Sequence, residues 1–198
     1  MNPTFRSISS TAFATLGLLG LLACGGFTGD ETKPHKATAL HYAAPTGLQP
    51  TDYHLEVASG QDSNLVLLKL VGPVGVQAGG VGIFLRADAT LVTWANPGGT
   101  LDPHVKEGTT FALGTGTPAL KSKVTAGDLQ AGIYQKGAVA PATYAGAAPL
   151  LTVALQLNTE VMNGPVTLSA TAGGQCKALN SAGTLVPITV KIGALEAR

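Results

Sequence analysis

Catalysis and metal binding need groups that can meet. The chain carries four histidines, His35, His41, His54 and His104. None stands two or four residues from another histidine or from a cysteine, so the short-range spacings that hold zinc or copper are absent. The Cys-x-x-Cys-His, Walker, Rossmann and Gly-x-Ser-x-Gly patterns are missing as well. The glycine-rich stretches Gly72-Pro-Val-Gly75 and Gly114-Thr-Gly116 are flanked as turns rather than as phosphate cradles. Asp62, Asp88, Asp102, Glu107 and Asp128 fall in predicted turns, where solvated carboxylates are the ordinary finding. Oxygen ligands for calcium need no fixed spacing outside an EF-hand, and a glycosidase pair needs only the right separation in space. Nothing in the sequence selects such a set. The reading therefore assigns no catalytic residue, no cofactor and no metal ligand, and a glycoside or ester hydrolase is the least favoured alternative.

Recognition of a glycan or a protein face works through exposed aromatic rings. From Tyr53 onward the sequence offers Tyr53, Phe84, Trp94, Phe111, Tyr134 and Tyr144. Trp94 and Tyr134 are the candidate glycan or partner contacts, although a lone tryptophan in a small β-domain is more often core. Phe84 lies on the opposite parity from Val81, Ile83 and Leu85, so it is either exposed or packed by a loop.

The two cysteines have different settings. Cys24 follows an apolar run from about Ala12 to Leu22, with Arg6 before it. That is the layout of a secretory signal, too short to span a membrane. Leu21-Leu22-Ala23-Cys24 resembles the bacterial lipobox, which implies cleavage before Cys24 and acylation of its sulfur and new amino group. Several acyl chains hold a protein on a membrane without a spanning helix. Gly25 is not the aspartate of an inner-membrane retention signal, which points to a cell-envelope site on the outer membrane. With Cys24 acylated, Cys176 has no disulfide partner in the chain and reads as a small buried residue.

The elements that must position these groups are strands. Removing residues 1–23 leaves 175 residues, and the loss of Arg6 leaves 11 basic against 11 acidic side chains. No basic field exists to attract nucleic acid. Gly25 to about Pro50, rich in glycine and proline, reads as a flexible tether. From residue 51, short β-patterned runs follow at 53–57, 65–71, 81–86, 90–94, 110–113, 132–135, 151–157, 166–170 and 186–192. Val186, Ile188, Val190 and Ile192 share one parity, with Pro187 marking an edge or a strand start. Ala119 to Leu129 is the best candidate for a short helix. The spacing of runs and turns predicts an all-β, antiparallel jelly-roll sandwich of about nine strands over residues 51–198.

The order of motifs resembles the cohesin family. Gly82-Ile-Phe-Leu-Arg-Ala-Asp88-Ala-Thr-Leu91 is similar to its early strand, with Ala87 in place of the usual tyrosine. Leu150-Leu-Thr-Val-Ala-Leu-Gln-Leu157 is similar to its late strand, and Gly164-Pro-Val-Thr-Leu168 to the strand that follows. A last strand from Leu185 to Ile192 closes the domain. The resemblance implies a cohesin-like or carbohydrate-binding-module-like sandwich that docks a protein or polysaccharide without catalysis. It transfers no binding residue.

Overall fold

The structure, a computed structural model, describes residues 34–111, 119–136, 140–171 and 175–198. Those residues form strands and connecting loops, with no helix among them. Two sheets carry most of the chain. The first runs β15 (Val190–Lys191), β2 (Tyr53–Ser59), β3 (Leu65–Val71), β10 (Leu151–Leu157) and β5 (Val92–Ala95), with β6 (Lys106–Glu107) also on β10. The second runs β14 (Leu185–Pro187), β13 (Lys177–Asn180), β4 (Gln77–Ala87), β8 (Asp128–Tyr134) and β7 (Ala119–Thr125). Two short strands, β12 (Leu168–Ala170) and β9 (Ala142–Thr143), also pair with β4. A small third sheet joins β1 (Leu40–Ala43), β16 (Ala194–Ala197) and β11 (Gly164–Val166). Every pairing between these strands is antiparallel except that of β15 with β2.

Alternation fixes which face of each sheet is inside. Val66, Leu68 and Leu70 on β3 meet Leu155, Val153 and Leu151 on β10. Val81, Ile83 and Leu85 on β4 meet Ile133, Ala131 and Leu129 on β8. All twelve are buried in one hydrophobic core. Each Leu, Ile or Val so buried contributes about 1.5–3 kcal/mol relative to exposure, so a one-residue slip in register, which would turn a whole row outward, is strongly disfavoured.

Five sequence expectations are corrected. The region 119–129 is a β-hairpin, not a helix: β7 turns into β8 through Ala126 and Gly127, at φ 49° and 85°. Positive φ at both central residues is the condition for a two-residue hairpin turn that matches strand twist. The tether expected over 24–50 gives way to ordered structure in its described part. Ala37, Leu40 and Tyr42 are buried, β1 pairs with β16, and the Tyr42 hydroxyl accepts from Gly193 N at 2.8 Å. The sandwich therefore begins before residue 51; alternation over four residues amid prolines was too short a signal to separate from a linker. Val166–Ala170 is split between two sheets, as is Leu185–Ile192, which changes sheet after Pro187. The latter does not close the domain; β16 does. Pro187 lies on an edge strand, as its missing N–H requires. Of the expected strand at 110–113, residues 110 and 111 are not in a strand and the rest lies outside the described residues.

Candidate functional site: the open face of the second sheet

The outward residues of the second sheet fall into rows set by register. One row reads Leu185, Leu179, Gly80, Tyr134, Ala119. The next reads Pro187, Lys177, Gly82, Gly132, Lys121. The third reads Phe84, Gln130, Lys123, and the fourth Ser169, Arg86, Asp128, Thr125. Leu185, Lys121, Lys123, Gln130 and Lys177 are exposed, and Phe84 and Tyr134 are half-buried.

Three glycines make a floor for Tyr134. A Cβ added at Gly80 would stand 2.3 Å from Tyr134 Cδ1, one at Gly82 2.5 Å from its Oη, and one at Gly132 2.9 Å from its Cε2. The ring therefore lies along the sheet over bare backbone, an aromatic covering glycines that lack a side chain of their own. Burial raises the phenol's pKa above the ordinary tyrosine value. A shallow depression of about 350 Å³ beside the ring is lined by Phe84, Lys121, Lys123, Gln130 and Gly132.

The edges of this face are pinned. Asp102, 8% exposed, receives Ser122 Oγ, Ser122 N at 2.8 Å, His104 N at 3.0 Å and Val105 N at 3.2 Å. Burial alone would raise its pKa; these hydrogen bonds hold it below the usual carboxylate range. They fix β7, and with it Lys121 and Lys123. Trp94 Nε1 donates to Gly127 O at 2.8 Å, fastening the β7–β8 turn to a strand of the first sheet. Arg86 and Asp128 form a two-bonded ion pair at 2.6 and 2.8 Å.

The outer face of the first sheet is different. Of its outward residues on β10, Thr152 and Ala154 are buried and Gln156 is exposed. Glu56 there is held by His54 Nε2 at 2.9 Å and Lys69 Nζ at 3.1 Å. Leu65 and Leu67 are half-buried on that face, and its exposed residues include Gln156, Lys106 and Lys191.

The sequence candidates sort accordingly. Trp94 is corrected: it is 4% exposed and belongs to the core, where its indole packs and its N–H is spent on Gly127, so it cannot stack on a partner. Tyr53, Phe111 and Tyr144 are buried too, joined edge to face at centroid distances of 5.9 and 6.0 Å. Tyr134 stands on the open face together with Phe84. Cys24, with the signal segment 1–23, lies outside the described residues. Cys176 is buried, its sulfur accepting from Phe84 N at 3.3 Å. Among the described residues no three His, Cys, Asp or Glu side chains gather as a metal-holding group. Of the carboxylates expected in turns, Glu107 and Asp128 stand instead on β6 and β8, and three are engaged locally: Asp62 with His41 at 2.7 Å, Asp88 with Thr90 N at 2.9 Å, Asp128 with Arg86. A larger groove, about 610 Å³, opens where the chain crosses between sheets at Ile188 and Thr189. Its walls are inner-face residues such as Leu168, Ala170, Ile188 and Ile192, with no charged group. Sequence reading missed the glycine floor and the lysines around it, although Gly80, Gly82 and Phe84 on one parity, and Gly132 with Tyr134 on another strand, carried the signal.

No protein-family model matches the chain, and no curated protein sequence does. Solved structures do match in fold. A chain of a type II cohesin–X-dockerin complex from Acetivibrio cellulolyticus superposes with a TM-score of 0.55 at 10% identity, over 71% of this chain and 93% of that one. The second type II cohesin module of a cellulosomal adaptor scaffoldin from the same organism gives 0.50 at 10% identity, over 79% and 94%. The chain thus has a cohesin-like jelly-roll β-sandwich.

Proposed function

We propose that the chain is a non-catalytic envelope lipoprotein that docks a protein partner on the open face of its second sheet. The observation that carries the reading is the contrast between the two outer faces. One has buried Thr152 and Ala154 at its middle and the ion-paired Glu56, His54 and Lys69 beside them; the other offers the aromatic rings Phe84 and Tyr134, with Leu179 and Leu185, around a flat glycine floor. Isolated apolar side chains on a surface need no explanation, but a contiguous set on an otherwise polar sheet marks an interaction site. The likeness to a chain from a cohesin–dockerin complex supports the same use of the fold.

The membrane link rests on Leu21-Leu22-Ala23-Cys24. Cys24 is the acylated residue, and an outer-membrane position follows from Gly25 after it. Cys24→Ser abolishes fatty-acid labelling; normal labelling of that variant contradicts the anchor.

Docking is tested by retention of an envelope protein on the immobilised chain. Phe84→Asp or Gln130→Arg removes the retained protein, while Gln156→Arg, exposed on the first sheet, does not. Equal retention by all variants, or loss with Gln156→Arg alone, overturns the reading. Release by soluble glycan instead of protein would assign Tyr134 to sugar stacking.

A further inference from the structure

The charges on the open face are one-sided. The whole chain is nearly balanced, with 12 basic and 11 acidic side chains. The open face presents Lys121, Lys123, Lys177 and Arg86 against Asp128 alone. Asp128 is taken by Arg86. The three lysines have no ion pair or hydrogen bond among the described residues; Lys36 and Lys69 are paired with Glu160 and Glu56, while Lys106 and Lys191 on the first sheet are unpaired but have no aromatic ring between them.

Their placement is also informative. Lys177, Gly82, Gly132 and Lys121 form one row across four adjacent strands. The two lysine positions are therefore about 14 Å apart, three strand spacings, with bare glycine between them. Lys123 extends the β7 side by one residue pair. The face is a trough with an apolar floor and ring, and cationic side chains along both margins. An α-helix, about 10–12 Å across with its side chains, reaches both margins at once.

We propose that the partner's docking surface is an acidic protein segment with an apolar side chain at its centre, seated on Tyr134 and Phe84, its carboxylates meeting Lys121, Lys123 and Lys177. This rests on the docking reading above and names its chemistry. The lysines act mainly on encounter rate and choice of partner, since exposed charges steer association and reject like-charged surfaces.

The test is selection of a random peptide library displayed on phage against the full chain, the Lys121→Glu/Lys123→Glu variant and Gln130→Arg. The proposal expects wild-type selections rich in Asp and Glu around an apolar residue. A selected acidic peptide binds about tenfold more weakly to the Lys121→Glu/Lys123→Glu variant at low salt, and loses affinity for the wild type as salt rises. The charge-reversed variant selects Lys- and Arg-rich peptides. Neutral or basic wild-type selections that are lost with Gln130→Arg overturn the charge proposal and leave the docking face standing. Acidic selections untouched by Gln130→Arg and by charge reversal overturn both. Binding of polygalacturonate with no peptide enriched assigns the lysines to an anionic polysaccharide and overturns the proposal.

Discussion

Two adjacent outward glycines on β4 behave differently when given a methyl group. At Gly80 the added Cβ would stand 2.3 Å from Tyr134 Cδ1, 2.6 Å from Ile133 O and 2.8 Å from Tyr134 Cα. Two of these atoms are backbone of the paired strand, so β8 must move away from β4 along a ladder of seven residue pairs. Overpacking of this kind costs about 1–3 kcal/mol. At Gly82 the near atom is Tyr134 Oη at 2.5 Å, and the next lies at 3.7 Å. The far end of one side chain can swing away, so Gly82→Ala costs less than about 1 kcal/mol, part of it offset by alanine's lower conformational entropy in the unfolded chain. Urea denaturation followed by the emission of Trp94, buried in the native state, measures both. Tyr134→Ala does not rescue Gly80→Ala, because Ile133 O remains. A Gly80→Ala variant as stable as the parent, or a Gly82→Ala variant less stable than Gly80→Ala, would refute the glycine-floor geometry.

Two further outcomes follow from buried polar groups. Cys176, its pKa raised by burial, reacts slowly with a thiol reagent in the native state and quickly in urea. Because Phe84 N can still donate to a hydroxyl there, Cys176→Ser costs only about 1 kcal/mol by denaturation; fast native labelling contradicts the burial. Asp102 has its pKa depressed in the folded state, so its stabilisation is complete above the unfolded value of about 4 and is lost as pH falls through the folded value. Asp102→Asn therefore destabilises by about 2 kcal/mol at neutral pH, and its gap from the parent closes in acid. A gap that does not change with pH removes the carboxylate from the account.

What the sequence made legible was what repeats with period two. Val81, Ile83 and Leu85, and Leu151, Val153 and Leu155, point inward as their parity requires. The hairpin at 119–134 was obscured because Lys121, Ser122 and Lys123 interrupt the apolar residues of β7, an edge strand with little to bury. The crossings at Thr167 and Ile188 were invisible because alternation continues through a change of sheet, and only the partner strand differs. The open face was half legible. Phe84 stood out by parity, whereas Lys177 and Lys121 are 56 residues apart in sequence and meet one row only through β4 and β8. Trp94 illustrates the converse: its type suggested a platform, and burial against Gly127 made it a fastener.

The most direct test of the docking face places a photo-crosslinking amino acid at Gln130, at the centre of the open face, and separately at Gln156 on the first sheet, in cells making the full chain. The account predicts a discrete protein adduct from position 130 that is absent from position 156 and weakens when Lys121→Glu/Lys123→Glu is combined with the probe. An adduct from position 156 with none from position 130 would contradict it.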